Sequence, residues 1–162
     1  MNIIKRIINV FTTLIIVVGG IFLILYLFNI KPYIVLSGSM EPTIKTGSLC
    51  FINYNVKYSS IKKNDVIAYR LNSDTLVTHR VVNITTNGFE TKGDNSNEKD
   101  NIITTENNYL GKNVFWIPYI GYLFKAFQTT NGRVVYFVLL LVLLIIGILY
   151  GDNSNKQIKD MQ

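Results

Sequence analysis

The sequence predicts a mainly β domain held between two membrane-spanning helices. Two observations predict the helices and a third predicts the sheet. Residues 7–30 and residues 134–150 contain no charged side chain. Between these blocks, short runs of β-branched and aromatic residues alternate with turn residues, the pattern of successive strands. Charged residues make up only 16 % of the chain and apolar residues 49 %. Soluble domains carry roughly 25 % charge, and the two charge-free blocks account for the deficit. The expected organisation is an N-terminal tail and anchor over 1–30, an outward β-domain over 31–130, and a second span with its tail over 131–162.

The two blocks differ in length. A bilayer core of about 30 Å needs about 20 helical residues, which residues 7–30 supply. Residues 134–150 reach about 25 Å by helical rise, and Thr129, Thr130 and Gly151 allow modest extension. The first block is too long for the apolar core of a cleavable signal, about 7–15 residues. The break at Lys31-Pro32 also separates it from the small residues Ser37-Gly38-Ser39. An uncleaved anchor is therefore expected. Lys5 and Arg6 precede the first span, so the positive-inside rule puts the N-terminus in the cytoplasm. A second span returns Lys156 and Lys159 to the same side, and the segment between the spans faces outward. That segment carries twelve basic residues, but a loop of this length translocates largely regardless of charge.

The net charge of +6 does not indicate a nucleic-acid binder. Basic residues are scattered, and no basic surface interleaved with aromatics is visible. Attraction to anionic lipid is the better use of the excess. A single cysteine, Cys50, excludes an internal disulfide, so the outward domain must hold together through its core. Cys50 lies in the apolar stretch 49–52, where a packed thiol is expected.

Strands are expected at 33–36, 48–53, 65–71, 76–85, 89–92 and 111–116. The turn Lys45-Thr46-Gly47 precedes the second. The third alternates around Val66, Ala68 and Arg70. Asn87-Gly88 joins the fourth and fifth in a hairpin. Residues 93–108 are polar and read as a loop, and loops of that length in compact domains are often functional. Residues 117–127 are apolar but contain Pro118 and Gly121. They are expected along the membrane surface, with Trp116, Tyr119 and Tyr122 at the interface.

The candidate chemistry starts with Ser39, in the tetrapeptide Ser37-Gly38-Ser39-Met40. Nine residues separate it from Ile30, at most about 30–32 Å of extended chain, so Ser39 must lie near the outer bilayer surface. Serine needs a base to take its proton. His79 is the one histidine and so the one imidazole able to do this near neutral pH. A third group should orient the imidazole, and Asp94 and Asp100 in the polar loop are the candidates. Asp65 and Asp74 sit at a strand edge or turn, where capping explains them. The 94–100 stretch also reads as a plain solvated loop or a weak cation site, without the regular alternation and terminal Glu of a calcium loop, and Ser-His hydrolysis implies no metal or organic cofactor. Two other readings stand beside a serine hydrolase. One is a non-enzymatic two-span membrane protein whose outward β-domain binds a partner. The other is a Cys50-His79 protease, although Cys50 lacks the electropositive, exposed setting of a reactive thiol.

Five boxes in order resemble type I signal peptidases: Ser37-Gly38-Ser39-Met40-Glu41-Pro42-Thr43, Asp65-Val66-Ile67-Ala68-Tyr69, Thr78-His79-Arg80-Val81, Lys92-Gly93-Asp94-Asn95 and Ile117-Pro118-Tyr119-Ile120-Gly121. His79, followed by Arg80, stands where the main bacterial subgroup has a lysine base. The chain is thus most similar to the endoplasmic-reticulum-type, or SipW-like, Ser-His subgroup. The resemblance implies a signal-peptidase-like coiled β-domain whose site faces the membrane. It implies Ser39 as nucleophile, His79 as general base, Asp100 as triad acid, and Asp94 as a supporting residue or the alternative acid. It also implies that the Ser37 hydroxyl joins the Ser39 N–H in an oxyanion hole. The implied substrates are signal peptides of secreted preproteins, cut after a small residue. They would add as an extended strand, with Leu36, Met40 and the Val/Ile-rich strands as pocket walls. The implied location is the cell membrane. Membrane lipid is a partner, and the resemblance admits the secretion translocon as another.

Overall fold

A computed structural model describes residues 2–73, 75–130, 134 and 138. Apart from Val134 and Val138, the expected second span at 134–150 lies outside the described residues, as do Asp74, Lys156 and Lys159. The chain divides into two compact units, Met1–Gly121 and Tyr122–Gln162. The first holds an N-terminal helix and an antiparallel sheet, so the described fold is mainly β.

Helix α1 spans Asn2–Leu27. Its stretch Arg6–Leu27 has a mean hydropathy of 2.7, is not buried by the rest of the protein, and is long and apolar enough to cross a membrane. Asn29 ends the helix in the left-handed region, φ 54°, and its N–H reaches the Tyr26 carbonyl at 2.9 Å. Asparagine is the residue other than glycine that most readily caps a helix this way.

Strand β1 (Ile30–Ile34) follows directly, then β2 (Leu49–Asn53), β3 (Val66–Arg70), β4 (Leu76–Thr85), β5 (Gly88–Lys92) and β6 (Tyr109–Ile117). They form one sheet in the order β1-β2-β6-β3-β4-β5, with every neighbouring pair antiparallel. Pro32 sits in the edge strand β1, where its missing N–H costs no interior ladder bond. Gly88 closes the β4–β5 hairpin with φ +134°, and a Cβ there would lie 2.5 Å from the Thr104 carbonyl oxygen. Register shifts interrupt the ladder at Phe51/Ile52, Ala68/Tyr69 and Val81/Asn83. Such bulges bend a strand and increase its twist.

One sequence expectation changes here. The third strand does not alternate between core and solvent: Val66, Ile67, Ala68 and Tyr69 are all buried. Val66 and Ala68 join Met40, Ile44, Cys50 and Ile52 in one core, while Ile67 and Tyr69 join Ile61, Val81 and Phe89 in another. The period of two separates two cores because chain covers both faces of this central strand. The stretch after Trp116, to which the sequence assigns no element, holds helix α2 (Ile120–Gln128). Pro118 precedes the helix and does not interrupt it. Gly121 lies in the first turn because a Cβ would come within 2.7 Å of the Gly47 carbonyl oxygen. Cys50 is fully buried, as its apolar neighbourhood predicts.

Candidate active site

The sheet carries His79 near the start of β4, where it pairs with Ile67 of β3. Tyr69, two positions further along β3, meets the imidazole edge-on, with ring centroids 6.5 Å apart. Ser39 lies in the turns between β1 and β2. The 93–108 loop brings the acids. The Asp100 N–H donates to the Thr91 carbonyl at 2.8 Å, which ties the middle of the loop back onto β5.

These tethers bring three residues into line. Ser39 Oγ and His79 Nε2 are 3.0 Å apart, and His79 Nδ1 and Asp100 Oδ2 are 2.7 Å apart. The imidazole and carboxyl side chains are 12 % and 18 % exposed, so water reaches them on a small surface only. A carboxylate oxygen only accepts, so this contact puts the ring proton on Nδ1 and leaves the Nε2 lone pair facing the hydroxyl. The arrangement can take a proton from Ser39 and hold the imidazolium that results. Ser37 Oγ lies 3.3 Å from Ser39 Oγ, so a second hydroxyl borders that of Ser39.

Asp94 is placed elsewhere. Both carboxylate oxygens accept from Arg80, at 2.8 Å from Nε and 2.7 Å from Nη2. This bidentate hydrogen bonding, more than any other cause, holds the Asp94 carboxyl below its ordinary range, and the Thr43 hydroxyl adds to it. Asp94 thus joins the strand residue after His79 to the turn after Ser39. Its depressed titration sets the sign of a prediction. Stability from this pair is fully present above the unfolded carboxylate range, about pH 4, and is lost as pH falls through the lowered folded value. Asp94→Asn should lower Tm by a few degrees at pH 7, and the gap from wild type should close below about pH 4. Thermal melts across that range check this.

The Lys92-Gly93-Asp94-Asn95 box also seats the serine. The Asn95 N–H donates to the Ser39 carbonyl at 2.9 Å, and Asn95 Nδ2 reaches the Gly38 carbonyl at 3.3 Å. A Cβ on Gly93 would fall 2.5 Å from the Ser39 carbonyl oxygen and 3.2 Å from His79 Nε2. Glycine is needed here for close approach. Gly93→Ala should push Ser39 away from the imidazole, and a displacement near 1 Å can cost about 10²-fold in rate. Turnover per folded molecule measures it.

The remaining candidates have other work. Asp65 accepts the Lys62 N–H at 3.0 Å and pairs with Lys112 Nζ at 2.7 Å. Burial pushes the Cys50 thiol up to about 12, the opposite of what a cysteine nucleophile requires. Among the described residues, no group of three or more His, Cys, Asp or Glu side chains could hold a metal.

A groove of about 450 Å³ opens beside Ser39. Residues 33–37 and 75–79 line it, and Leu36, Met40, Ile44 and Cys50 are among its walls. The hydroxyls of Tyr69 and Thr91 both donate to Asp100 Oδ2, and the sequence alone does not single them out. Tyr69 lies in a conspicuous box, but its apolar neighbours disguise it as core. Thr91 is one of many strand threonines.

The fold and the site together define a β-domain with a Ser-His-Asp constellation behind an apolar N-terminal helix. Comparison with known proteins extends this. The family described as signal peptidase, peptidase S26, matches residues 3–104, and the chain belongs to that family. It is 42 % identical over 78 residues to signal peptidase I W of Bacillus subtilis (strain 168), covering 46 % of this chain and 41 % of that protein. It is 32 % identical over 102 residues to the signal peptidase complex catalytic subunit SEC11 of Colletotrichum graminicola, covering 55 % and 59 %. It is 33 % identical over 101 residues to SEC11C of Homo sapiens, covering 54 % and 52 %. The chain spans about half the length of the curated relatives it matches.

Proposed function

We propose that this chain is a membrane-bound serine endopeptidase that removes N-terminal signal peptides from secreted preproteins. The observation that carries the reading is the continuous hydrogen-bonded line from Ser39 through His79 to Asp100 at the mouth of an apolar groove. A partner-binding domain without enzymatic activity would need neither that line nor the groove beside it.

The mechanism follows from the geometry. The substrate lies extended along residues 33–37 and 75–79, with small side chains in the groove. As Ser39 Oγ attacks the carbonyl carbon of the scissile bond, its proton passes to His79 Nε2. Asp100 holds the imidazole through Nδ1–H and stabilises its charge. The developing oxyanion accepts from the Ser39 N–H and the Ser37 hydroxyl. Collapse breaks the C–N bond, and His79 returns the proton to the departing amine of the mature protein. The signal peptide remains as an ester on Ser39. Water then attacks, losing a proton to His79, and the ester breaks to a free carboxylate and a restored Ser39 hydroxyl.

Helix α1 anchors the site at the membrane. Residues 134–150 form a second span in this reading, so both termini are cytoplasmic and residues 31–130 are the extracytoplasmic catalytic domain. The substrate then emerges from the bilayer beside Ser39. Membrane lipid and the secretion translocon are the accompanying partners.

The Ser37 role gives a specific test. Ser37→Ala should lower kcat on the order of 10²-fold with little change in KM, because an oxyanion donor acts in the transition state. Unchanged kcat would remove Ser37 from the mechanism. Steady-state cleavage of a labelled preprotein by the purified chain measures both constants.

A further inference from the structure

Asp100 does more than face His79. Three donors converge on one of its oxygens, Oδ2. His79 Nδ1 lies at 2.7 Å, Tyr69 OH at 2.9 Å and Thr91 Oγ1 at 2.5 Å. They come from three adjacent strands, β4, β3 and β5. Tyr69 is 1 % exposed and Thr91 is fully buried, so each hydroxyl is fixed by the core that surrounds it. Burial raises the Tyr69 phenol above its ordinary range, and it stays a donor at any working pH. Neither hydroxyl touches Ser39 or the groove that would hold substrate.

We infer that Tyr69 and Thr91 are positioning residues that set the charge and aim of the Asp100 carboxylate and, through it, the basicity of His79. The inference rests on the triad reading above. Each hydroxyl dipole points its hydrogen at Oδ2 and withdraws part of the negative charge that the imidazole feels. Hydrogen bonds to charged groups are among the stronger ones, so two of them on one oxygen are a substantial share of that charge. The same bonds fix the oxygen in line with Nδ1. Removing either hydroxyl leaves a carboxylate that holds its own proton and the imidazolium proton more tightly. Both changes reduce the fraction of enzyme with a free base at a given pH. They have the same sign, and the acid limb of activity moves to higher pH.

The other ionisable groups nearby are few. Arg80 and Asp94 pair with each other, and Asp94 lies near enough to His79 for the two charges to interact. Glu98 and Lys99 border a cleft that Tyr69, His79 and Asp100 also line, and Lys99 is paired with Glu90. None of these is touched by the two changes proposed.

The test uses Tyr69→Phe and Thr91→Val, which keep the side-chain volume and lose the hydroxyl, with Thr91→Ser as the variant that restores a donor. Full-length protein in detergent is assayed for kcat, KM and the pH dependence of kcat/KM on a labelled preprotein. Tyr69→Phe and Thr91→Val should each lower kcat about tenfold with KM unchanged, because a carboxylate no longer held in line with Nδ1 aims the imidazole less well at Ser39. Their acid limbs should move to higher pH, and Thr91→Ser should behave as wild type. Because the chain has one histidine, its imidazole Nδ1–H proton resonance identifies itself in any variant. It should move in Tyr69→Phe and Thr91→Val, including in a Ser39→Ala background where no turnover occurs. A wild-type acid limb and an unmoved resonance in both variants would overturn the inference while the triad stands. Thr91→Ser failing as badly as Thr91→Val would overturn it also, assigning Thr91 to packing alone. Full cleavage by Ser39→Ala would instead remove the triad reading itself.

Discussion

Ser39→Ala is expected to lose cleavage by at least about 10⁴-fold in single-turnover assays, because the residues of a catalytic triad fail together when the nucleophile is removed. The loss should fall on chemistry and not on folding. The hydroxyl makes its close contacts with His79 Nε2 and Ser37 Oγ, while the turn is held by backbone bonds that survive the change. The Ser39 carbonyl keeps Asn95, and Glu41 keeps the Thr46 N–H and hydroxyl, at 3.1 and 2.8 Å. The variant should therefore bind preprotein with near-normal affinity and retain its melting temperature. Binding measured by fluorescence anisotropy and cleavage measured by rapid quench separate the two. Processing at the wild-type rate would exclude Ser39 as nucleophile.

The second large effect is expected from Asp100→Asn. The substitution keeps the side chain's shape but offers His79 Nδ1 an amide in place of a carboxylate. The ring can then settle with its proton on Nε2, facing Ser39, and the base is lost. In a well-studied triad the corresponding change costs about 10⁴-fold in kcat. Asp94→Asn should cost far less turnover per folded molecule, since Asp94 spends both oxygens on Arg80. Single-turnover rates normalised to folded protein compare the two. A large loss at Asp94 with little at Asp100 would exchange their roles.

The contrast between these acids shows where the sequence stops being informative. Their loop gives no local sign of which one meets His79. The choice depends on Arg80, whose fork reaches Asp94, and on Thr91, whose carbonyl fixes the Asp100 backbone. Both depend on pairing of β4 with β5. The resemblance to a family suggested Asp100, and the residues alone left the two acids open. Strand β4 was legible to the residue because Leu76–Thr85 is rich in Val and Thr and is followed by Asn87-Gly88. Strand β1 begins earlier than the sequence indicates, at Ile30, since the turn at Asn29 lets a strand start before Pro32. The sheet order was not legible: β6 lies between β2 and β3, and no local pattern encodes that insertion. Tyr69 shows the same limit at one residue. Its ring reads as core, and only the tertiary structure brings its hydroxyl to Asp100.

In the proposed mechanism a Ser39 ester carries the signal peptide between the two halves of the reaction. Competition between water and hydroxylamine tests it most directly. Purified full-length chain in detergent is mixed with a labelled preprotein with and without hydroxylamine, and both fragments are weighed by mass spectrometry. The mature fragment should begin after a small residue. The signal peptide should end in a hydroxamate when hydroxylamine is present, and Ser39→Ala should give neither fragment. A signal peptide ending only in a free carboxylate at every hydroxylamine concentration, or the same fragments from Ser39→Ala, would contradict it.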